Sequence, residues 1–394
     1  MTPCGVPEGA LTWCEVSRSA LAHNVRELRR CLDPGVRLGV VVKSDAYGHG
    51  LVGAAEAFKG AGADWLVVNA LSEAERLRAA GVTGPIYVCG YLPPERAAAA
   101  VAADVRLVVY DPVVVDALGA AARAAGRAVP LHVKVETGNH RQGLDLAGAV
   151  ALATRIAATE GVTLEGLATH YADIEDTTNH RFALVQLARF DQAAAALREA
   201  GLAAPITHSA NSAATILWGK THGALVRVGI SAYGLWPSTE TYAAALALKR
   251  CDREGRGRYI PALRPALAWR ARIAQIKPVP TGGYVGYGRT FRATHDMRVA
   301  VLPVGYYEGY DRRLSNLGHA LVDGVRAPIR GRVCMNMTMI DVTHIPGARA
   351  GGVATLLGPD GEERISAEDL AGWMGTISYE AIARIHPAIP RVQV

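Results

Sequence analysis

The stretch Leu38-Gly-Val-Val-Val-Lys43-Ser-Asp-Ala-Tyr47-Gly48-His-Gly50 sets the architecture. The run Leu38–Val42 is apolar and β-branched, with the length of a strand buried on both faces. It stops at Lys43, passes through a turn-rich segment with Gly48 and Gly50, and feeds an apolar helix from about Leu51. Strand, turn and helix in that order form the repeating unit of a parallel sheet. Lys43, at the C-terminal tip of the strand, has two readings. It either lays its stem along the surface and reaches water, or it is held partly desolvated in a pocket. A pocketed lysine has a lowered pKa and is a candidate Schiff-base former.

The same rhythm recurs along the chain. Strand-like runs fall at Val36–Lys43, Trp65–Asn69, Ile86–Cys89, Arg106–Tyr110, Leu131–Glu136, Leu164–His170, Ile206–Ala210 and Leu225–Ile230. Helical patterns fall at 51–60, 72–80, 94–102, 112–125, 146–159, 179–200 and 212–218. Eight alternating units imply a closed (β/α)8 barrel over residues 1–250. An open doubly wound sheet is the alternative, weakened because no G-x-G-x-x-G follows the first strand. Upstream, a short strand around Leu11–Val16 precedes a helix at Ser17–Arg30, with Ser17 or Ser19 as N-cap.

After Gly234 the pattern changes. Pro237–Pro261 is polar and holds the dense basic cluster Lys249–Arg258, which reads as a linker or insertion. Alternating runs then appear at Ala268–Lys277, Met297–Pro303, Ala320–Val325, Val333–Val342 and Val353–Leu357. Helical stretches come late, at Ser366–Met374 and Ile377–Ile385, and Ser366-Ala-Glu-Asp369 resembles a capping box. The expectation is a mainly β domain over residues 251–394, with the N-terminal strand a candidate to join it.

Composition narrows the function classes. Of 394 residues, 50% are hydrophobic, which suits a compact enzyme of two domains. The net charge of +6 is scattered, so a nucleic-acid partner is not expected. Cys4, Cys14, Cys31, Cys89, Cys251 and Cys334 lack C-x-x-C pairs and metal spacing, and read as reduced thiols of a cytoplasmic protein. The first residues do not read as a signal peptide, no membrane span is expected, and no His/Asp/Glu cluster suggests a metal.

Barrel enzymes carry their chemistry at the C-terminal ends of the strands. Lys43 and Tyr47 follow strand one, Lys134 lies in strand five and Arg141 in the loop after it. His170 ends strand six, Asn211 and Ser212 follow strand seven, and Arg227, Gly229 and Ile230 end strand eight. Each also has a structural reading: His170 as a core histidine, Ser212 as a helix N-cap, Arg227 as the partner of a carboxylate. Together they suggest an anionic ligand and a Schiff-base lysine, with backbone N–H groups of the last two loops as a phosphate site.

Nine motifs in order resemble those of the alanine racemase family. They are Val41–Gly50, Lys134-Val-Glu-Thr-Gly-Asn-His-Arg141, Gly166-Leu-Ala-Thr-His170, His208-Ser-Ala-Asn-Ser212 and Val226-Arg-Val-Gly-Ile230 with Tyr233-Gly-Leu235. Val285–Thr290, Pro303–Tyr306, Gly331–Asn336 and Thr376–Glu380 follow. The resemblance implies a homodimeric pyridoxal 5'-phosphate (PLP) enzyme that interconverts L- and D-alanine, supplying D-alanine for peptidoglycan. It implies that Lys43 carries the cofactor and acts as one base, and that Tyr287 of the partner subunit is the other. Tyr47, Asn211, Ser212, Gly229, Ile230 and Tyr379 would surround the cofactor, most of them at its phosphate. Arg227 would donate to the pyridine nitrogen, with His170 between Arg227 and Tyr287. Arg141 and the Met335 backbone would meet the substrate carboxylate, and Tyr306 would line the entrance. Lys134 would be the lysine that is carbamylated in many members and braces Arg141.

Some positions depart from the commoner family pattern. Glu136 stands for Asp, Asn139 and His140 for Met and Gly, Asn336 for Asp, and Ser44-Asp45 for Ala-Asn; Gly286 precedes Tyr287 where Ser is common. Asn139, His140 and Asn336 adjoin substrate-binding positions and bear on side-chain specificity. A serine or broad-range racemase, a decarboxylase of the same fold type and a non-catalytic PLP-binding protein are the rival readings. The decarboxylase would need Cys334 as its catalytic cysteine.

Overall fold

The structure is a computed structural model that describes residues 5–250 and 259–394. By contact the chain divides into two units. One comprises Ala20–Ala46 and Leu51–Arg264; the other comprises Met1–Ser19, Tyr47–Gly50 and Pro265–Val394.

The first unit is the expected barrel. Eight parallel strands pair in the order Ile206–His208, Val162–Ala168, Val129–Lys134, Arg106–Val109, Ile86–Val88, Trp65–Val68, Arg37–Val41 and Leu225–Val228. The ladder is nearly closed. Where the first and last of these strands meet, the Ala224 N–H donates to Thr207 O at 2.9 Å and the Arg227 N–H to Ala210 O at 3.0 Å. Strand Arg37–Val41 lies parallel to Leu225–Val228 with Gly39 opposite Arg227, so the segment that carries Lys43 and the segment that follows Arg227 leave the barrel at the same end. Trp65, Val67, Tyr87, Val108, Ile206 and Leu225 form a core cluster of this unit. A polar group also penetrates the core: His132 is fully buried, and a Cβ on Gly166 would stand 2.1 Å from its Nδ1. Only glycine leaves room for that ring.

The second unit is mainly β. A seven-stranded sheet runs Val325–Pro328, His319–Val322, Val353–Asp360, Leu267–Arg272, Thr12–Val16 and Arg391–Gln393, with Glu363–Ile365 added to Val353–Asp360. Thr12–Val16 is antiparallel to Leu267–Arg272 and parallel to Arg391–Gln393. A three-stranded sheet holds Gln275–Val279, Met297–Leu302 and Thr338–Asp341, and a short hairpin joins Tyr284–Val285 to Phe291–Arg292. Ser366 and Asp369 form the capping box that starts the helix Ala367–Met374.

Four expectations need correction. The run Ala320–Val325 is not one strand: His319–Val322 and Val325–Pro328 form a hairpin that turns at Asp323-Gly324. Pro237–Pro261 is not simply a linker, because Thr239–Arg250 is a helix; its Ala/Leu-rich stretch has high helix propensity, and Ser238 Oγ accepts the Thr241 N–H at 2.9 Å. The rest of the basic cluster, 251–258, lies outside the described residues, as do Cys4 and Cys251. The run Ala268–Lys277 is two strands, since Ile273 bonds to Gly352 in one sheet while Ala274 bonds to Val301 in the other. Of Val333–Val342 only Thr338–Asp341 is a strand, because the chain turns back on itself where the Cys334 N–H meets Met337 O at 2.8 Å. No helix among the described residues is long and apolar enough to cross a membrane. Among the described residues, Cys14, Cys89 and Cys334 are in no disulfide.

Candidate active site

Lys43 emerges from a strained turn. Ser44, Asp45, Ala46 and Tyr47 have φ of 56°, 53°, 55° and 52°, one turn of left-handed helix built without glycine. Each such residue costs roughly 1–2 kcal/mol, so the conformation persists only where surrounding bonds fix it. The Ala46 N–H donates to Val42 O at 2.9 Å, and Asp45 Oδ1 accepts the Leu51 N–H at 3.1 Å. The Lys43 side chain is half-buried, with no hydrogen bond or ion pair among the described residues.

Its charge bears on His170, as do those of Lys134, Arg227 and Arg141. Burial first, and these four cations second, hold the His170 ring well below its usual pKa. Burial also pushes Lys134 down to about 7, helped by Arg227 and Arg141 and opposed by Cys89 and Glu136. Lys43, Arg141, Arg227 and a Lys134 that is only part-charged near neutral pH therefore all act on one neutral imidazole.

Arg141 belongs to a loop organised by backbone capture. Glu136 accepts the N–H groups of Gly138 and of Asn139, the latter at 2.6 Å. Burial raises its pKa, but the donors His140, Gly138, Asn139 and Arg141 outweigh that and leave it below the usual carboxylate value. His140 takes φ 50°, a conformation that glycine adopts more cheaply. Gln186, fully buried on the helix Arg181–Glu199, ties this loop to the next one. Its Nε2 donates to Thr137 Oγ1 at 3.2 Å and to His170 O at 3.3 Å, and its Oε1 accepts the Ala172 N–H at 2.9 Å. Gln186 was not singled out from the sequence.

Arg227 is buried without a carboxylate partner. Its guanidinium donates to His208 Nδ1, to His208 O at 2.9 Å, to Thr169 O at 2.7 Å and to Ser209 O at 3.3 Å. All four bonds use the terminal nitrogens, and Nε–H has no protein acceptor among the described residues. The imidazole bonded to Arg227 is thus His208, a second residue the sequence did not single out. Its position in the strand-seven motif was the available signal.

Asn211, not Ser212, caps the helix Ser212–Leu217, accepting the Ala214 N–H at 3.0 Å. Ser212 instead joins the loop after strand eight, where its Oγ accepts the N–H groups of Gly229 at 3.0 Å and Ser231 at 3.5 Å. The Ser231 Oγ beside it is buried with no partner among the described residues. That orphaned hydroxyl is a third feature that residue patterns did not reveal.

In the second unit, Tyr47 and Tyr379 face each other with ring centroids 6.1 Å apart. Gly48 follows at φ 81°, and a Cβ there would lie 2.3 Å from Ile382 O. Tyr287, Tyr306, Met335 and Asn336 line one cleft of about 1180 Å³. Tyr287 sits in the turn between Tyr284–Val285 and Phe291–Arg292 and is 73% exposed. The Tyr306 N–H donates to Cys334 O at 3.1 Å, and Asn336 Nδ2 donates to Glu308 Oε1 at 2.7 Å. No group of three or more potential metal ligands occurs among the described residues.

Comparison with known proteins gives the family. Residues 16–237 match the alanine racemase N-terminal domain, and residues 266–393 match its C-terminal domain. Alanine racemase of Desulfovibrio desulfuricans is 39% identical over 97% of this chain and 98% of its own. The crystal structure of alanine racemase from D-cycloserine-producing Streptomyces lavendulae superimposes with TM-score 0.89 at 34% identity, covering 98% of each chain. That of alanine racemase from Bacillus anthracis with bound L-Ala-P has TM-score 0.89 at 33% identity, covering 99% of this chain and 96% of that one. A barrel ending in Lys43, Lys134, Arg141 and Arg227, followed by a β unit with an exposed tyrosine in its cleft, therefore carries a known ancestry: the chain belongs to the alanine racemase family.

Proposed function

We propose that this protein interconverts L- and D-alanine, using PLP, as a homodimer in which each active site draws on both subunits. The observation that carries the reading is the convergence of Lys43, Lys134, Arg141 and Arg227 on His170. Such a field suits a ligand with a phosphate and a substrate with a carboxylate.

The residues present fit the cofactor. The Nε–H of Arg227 is a donor without a protein acceptor, suited to a ring nitrogen. The Ser231 hydroxyl is a buried polar group without a partner among the described residues, beside Ser212 and Gly229 in a loop suited to phosphate oxygens. Lys43 would hold the cofactor through Nζ. Ser212, Ser231, Gly229 and Ile230 would hold its phosphate, and Asn211 would fix the helix start beside them. When bound, PLP supplies an electron sink for the carbanion at Cα.

The chain's own groups then do the proton work. Arg141 and the Met335 backbone orient the substrate carboxylate, and Tyr306 borders the entrance. Lys43 Nζ and Oη of the partner subunit's Tyr287 would act on opposite faces of Cα, one removing the proton and the other returning it. Exposure of Tyr287 on its own subunit leaves it available to a partner. Arg227 would hold the ring nitrogen as a donor that does not readily give up its proton, so that nitrogen would stay unprotonated and the ring a weaker electron sink. Lys134, with its lowered pKa, is suited to carbamylation and to bracing Arg141. A cytoplasmic supply of D-alanine for peptidoglycan is the matching cellular role.

The test is to offer the PLP-loaded protein a panel of L- and D-amino acids and to measure chirality. Fastest inversion for alanine supports the reading. Equal inversion of many side chains would assign a broad-range racemase and point to Asn139, His140 and Asn336. Loss of the carboxylate, or no reaction, would reject racemisation.

A further inference from the structure

We infer that Glu73 is a positioning residue for Lys43, holding the left-handed turn from which the lysine projects. The inference rests on the reading of Lys43 as the cofactor-bearing residue. Glu73 is the third residue of the helix Leu71–Ala79 after strand two, and its two carboxylate oxygens do different work. Oε2 accepts the N–H groups of Asn69 at 2.8 Å and Ala70 at 3.1 Å, which is the helix's own cap. Oε1 is not needed for that cap. It reaches across to the Ser44 N–H, 2.6 Å away and 29 residues earlier in the chain.

Ser44 is the first residue of the strained turn and the residue directly after Lys43. Left alone, Ser44 and Ala46 favour negative φ, and only Asp45 tolerates the left-handed region well. A carboxylate on the Ser44 amide fixes the peptide plane between Lys43 and Ser44, and so the direction in which the Lys43 Cα–Cβ bond points. Asp45 closes the other end of the turn through the Leu51 N–H, with Arg76 3.5 Å from its carboxylate. Arg76 and Glu73 lie one turn apart on the same helix, so one short helix meets both ends of the turn. The capping box alone would predict a structural role. The bond to Ser44 has no function in that cap.

Glu73→Gln separates the two roles. Glutamine caps as glutamate does, but its amide then turns an NH2 group toward the Ser44 N–H. Glu73→Ala loses both bonds, and Ser44→Gly lowers the cost of the left-handed turn without removing the amide. The readout is the rate at which apoprotein takes up PLP, followed by its visible absorbance. In that step the Lys43 amine adds to the aldehyde carbon and water leaves. Borohydride reduction and peptide mass spectrometry then locate the cofactor. If wild type carries no reduced cofactor at Lys43, the reading of Lys43 fails, whatever Glu73 does.

With Lys43 labelled in wild type, Glu73→Gln should keep its Tm while PLP uptake and kcat fall about ten- to a hundredfold, the factor expected for one lost bond to a charged group. The KM for alanine should change little. Glu73→Ala should show the same loss of uptake, and Ser44→Gly should restore part of it in either background. Uptake and kcat at wild-type levels in Glu73→Ala, or losses that track Tm and are indifferent to Ser44→Gly, would overturn the inference.

Discussion

Arg227 donates to Nδ1 of His208, and the direction of that bond fixes the protons on a buried chain of residues. Arginine has no acceptor, so His208 Nδ1 is bare and its Nε2 carries the proton. Nε2–H then donates to His132 Nδ1 at 2.8 Å, and His132 Nε2–H to Glu165 Oε2 at 2.9 Å. Burial, then the charge of Arg227, holds His208 well below its usual pKa. Burial also lowers His132, against the pull of Glu165. Both rings are neutral, and the chain anchors the guanidinium through the barrel core.

Neutral rings give a pH dependence of known sign. Below the ordinary value of 6.5 the unfolded chain binds protons that folded His208, His132 and His170 do not. Stability therefore falls as pH drops below about 6.5. His208→Leu should flatten that fall and cost about 1–3 kcal/mol at neutral pH, because Arg227 and His132 each lose a partner. Urea denaturation of both proteins between pH 5 and 8 checks it, and an unchanged slope in the variant would count against the neutral chain.

Lys134 titrates in the opposite part of the range. Its folded value of about 7 lies below the ordinary 10.5, so between those values the unfolded chain holds a proton that the native one lacks. This residue contributes stability that rises with pH from about 7 to 10.5, and below 7 the native state carries the full cost of the buried ammonium. Competitive amine labelling of the apoprotein, read at the Lys134 peptide, should give a midpoint near 7. A midpoint at the ordinary lysine value would contradict the cation field.

Gln186 links the loop of Arg141 to that of His170, and leucine of similar size would leave the Ala172 N–H and the His170 carbonyl without it. Gln186→Leu should cost about 1–3 kcal/mol of stability. It should also raise the KM for alanine more than it lowers kcat, if Arg141 meets the substrate carboxylate as proposed. Steady-state kinetics beside a denaturation curve separates the two effects; an unchanged KM would confine Gln186 to structure.

The barrel was legible because each of its strands, from Leu38–Val42 onward, is a short β-branched run bounded by turns and helices. Thr239–Arg250 was hidden because prolines and the basic cluster around it read as loop chemistry, and tertiary packing sets where a helix stops. The left-handed turn at Ser44–Tyr47 was illegible for a deeper reason: nothing in Ser-Asp-Ala-Tyr favours positive φ, and the conformation depends on Glu73 from the next strand–helix repeat of the barrel. Of the motif residues at the strand ends, Ser212 and Gly229 do meet, in a hydrogen bond between the loops after strands seven and eight. His208 and Gln186 could not be read from local patterns, since their partners lie 14 to 76 residues away. The helix cap read at Ser212 belongs to its neighbour Asn211, one residue earlier.

The proposed mechanism stands or falls on two bases acting on opposite faces of Cα, and Tyr287→Phe is its sharpest test. The variant, loaded with PLP in heavy water, would be given L-alanine and D-alanine separately, with Cα deuterium and chirality both measured. Deuterium should enter one enantiomer only, the one whose proton faces Lys43, with inversion nearly abolished and PLP still bound. Inversion of both enantiomers at the wild-type rate would contradict the two-base mechanism.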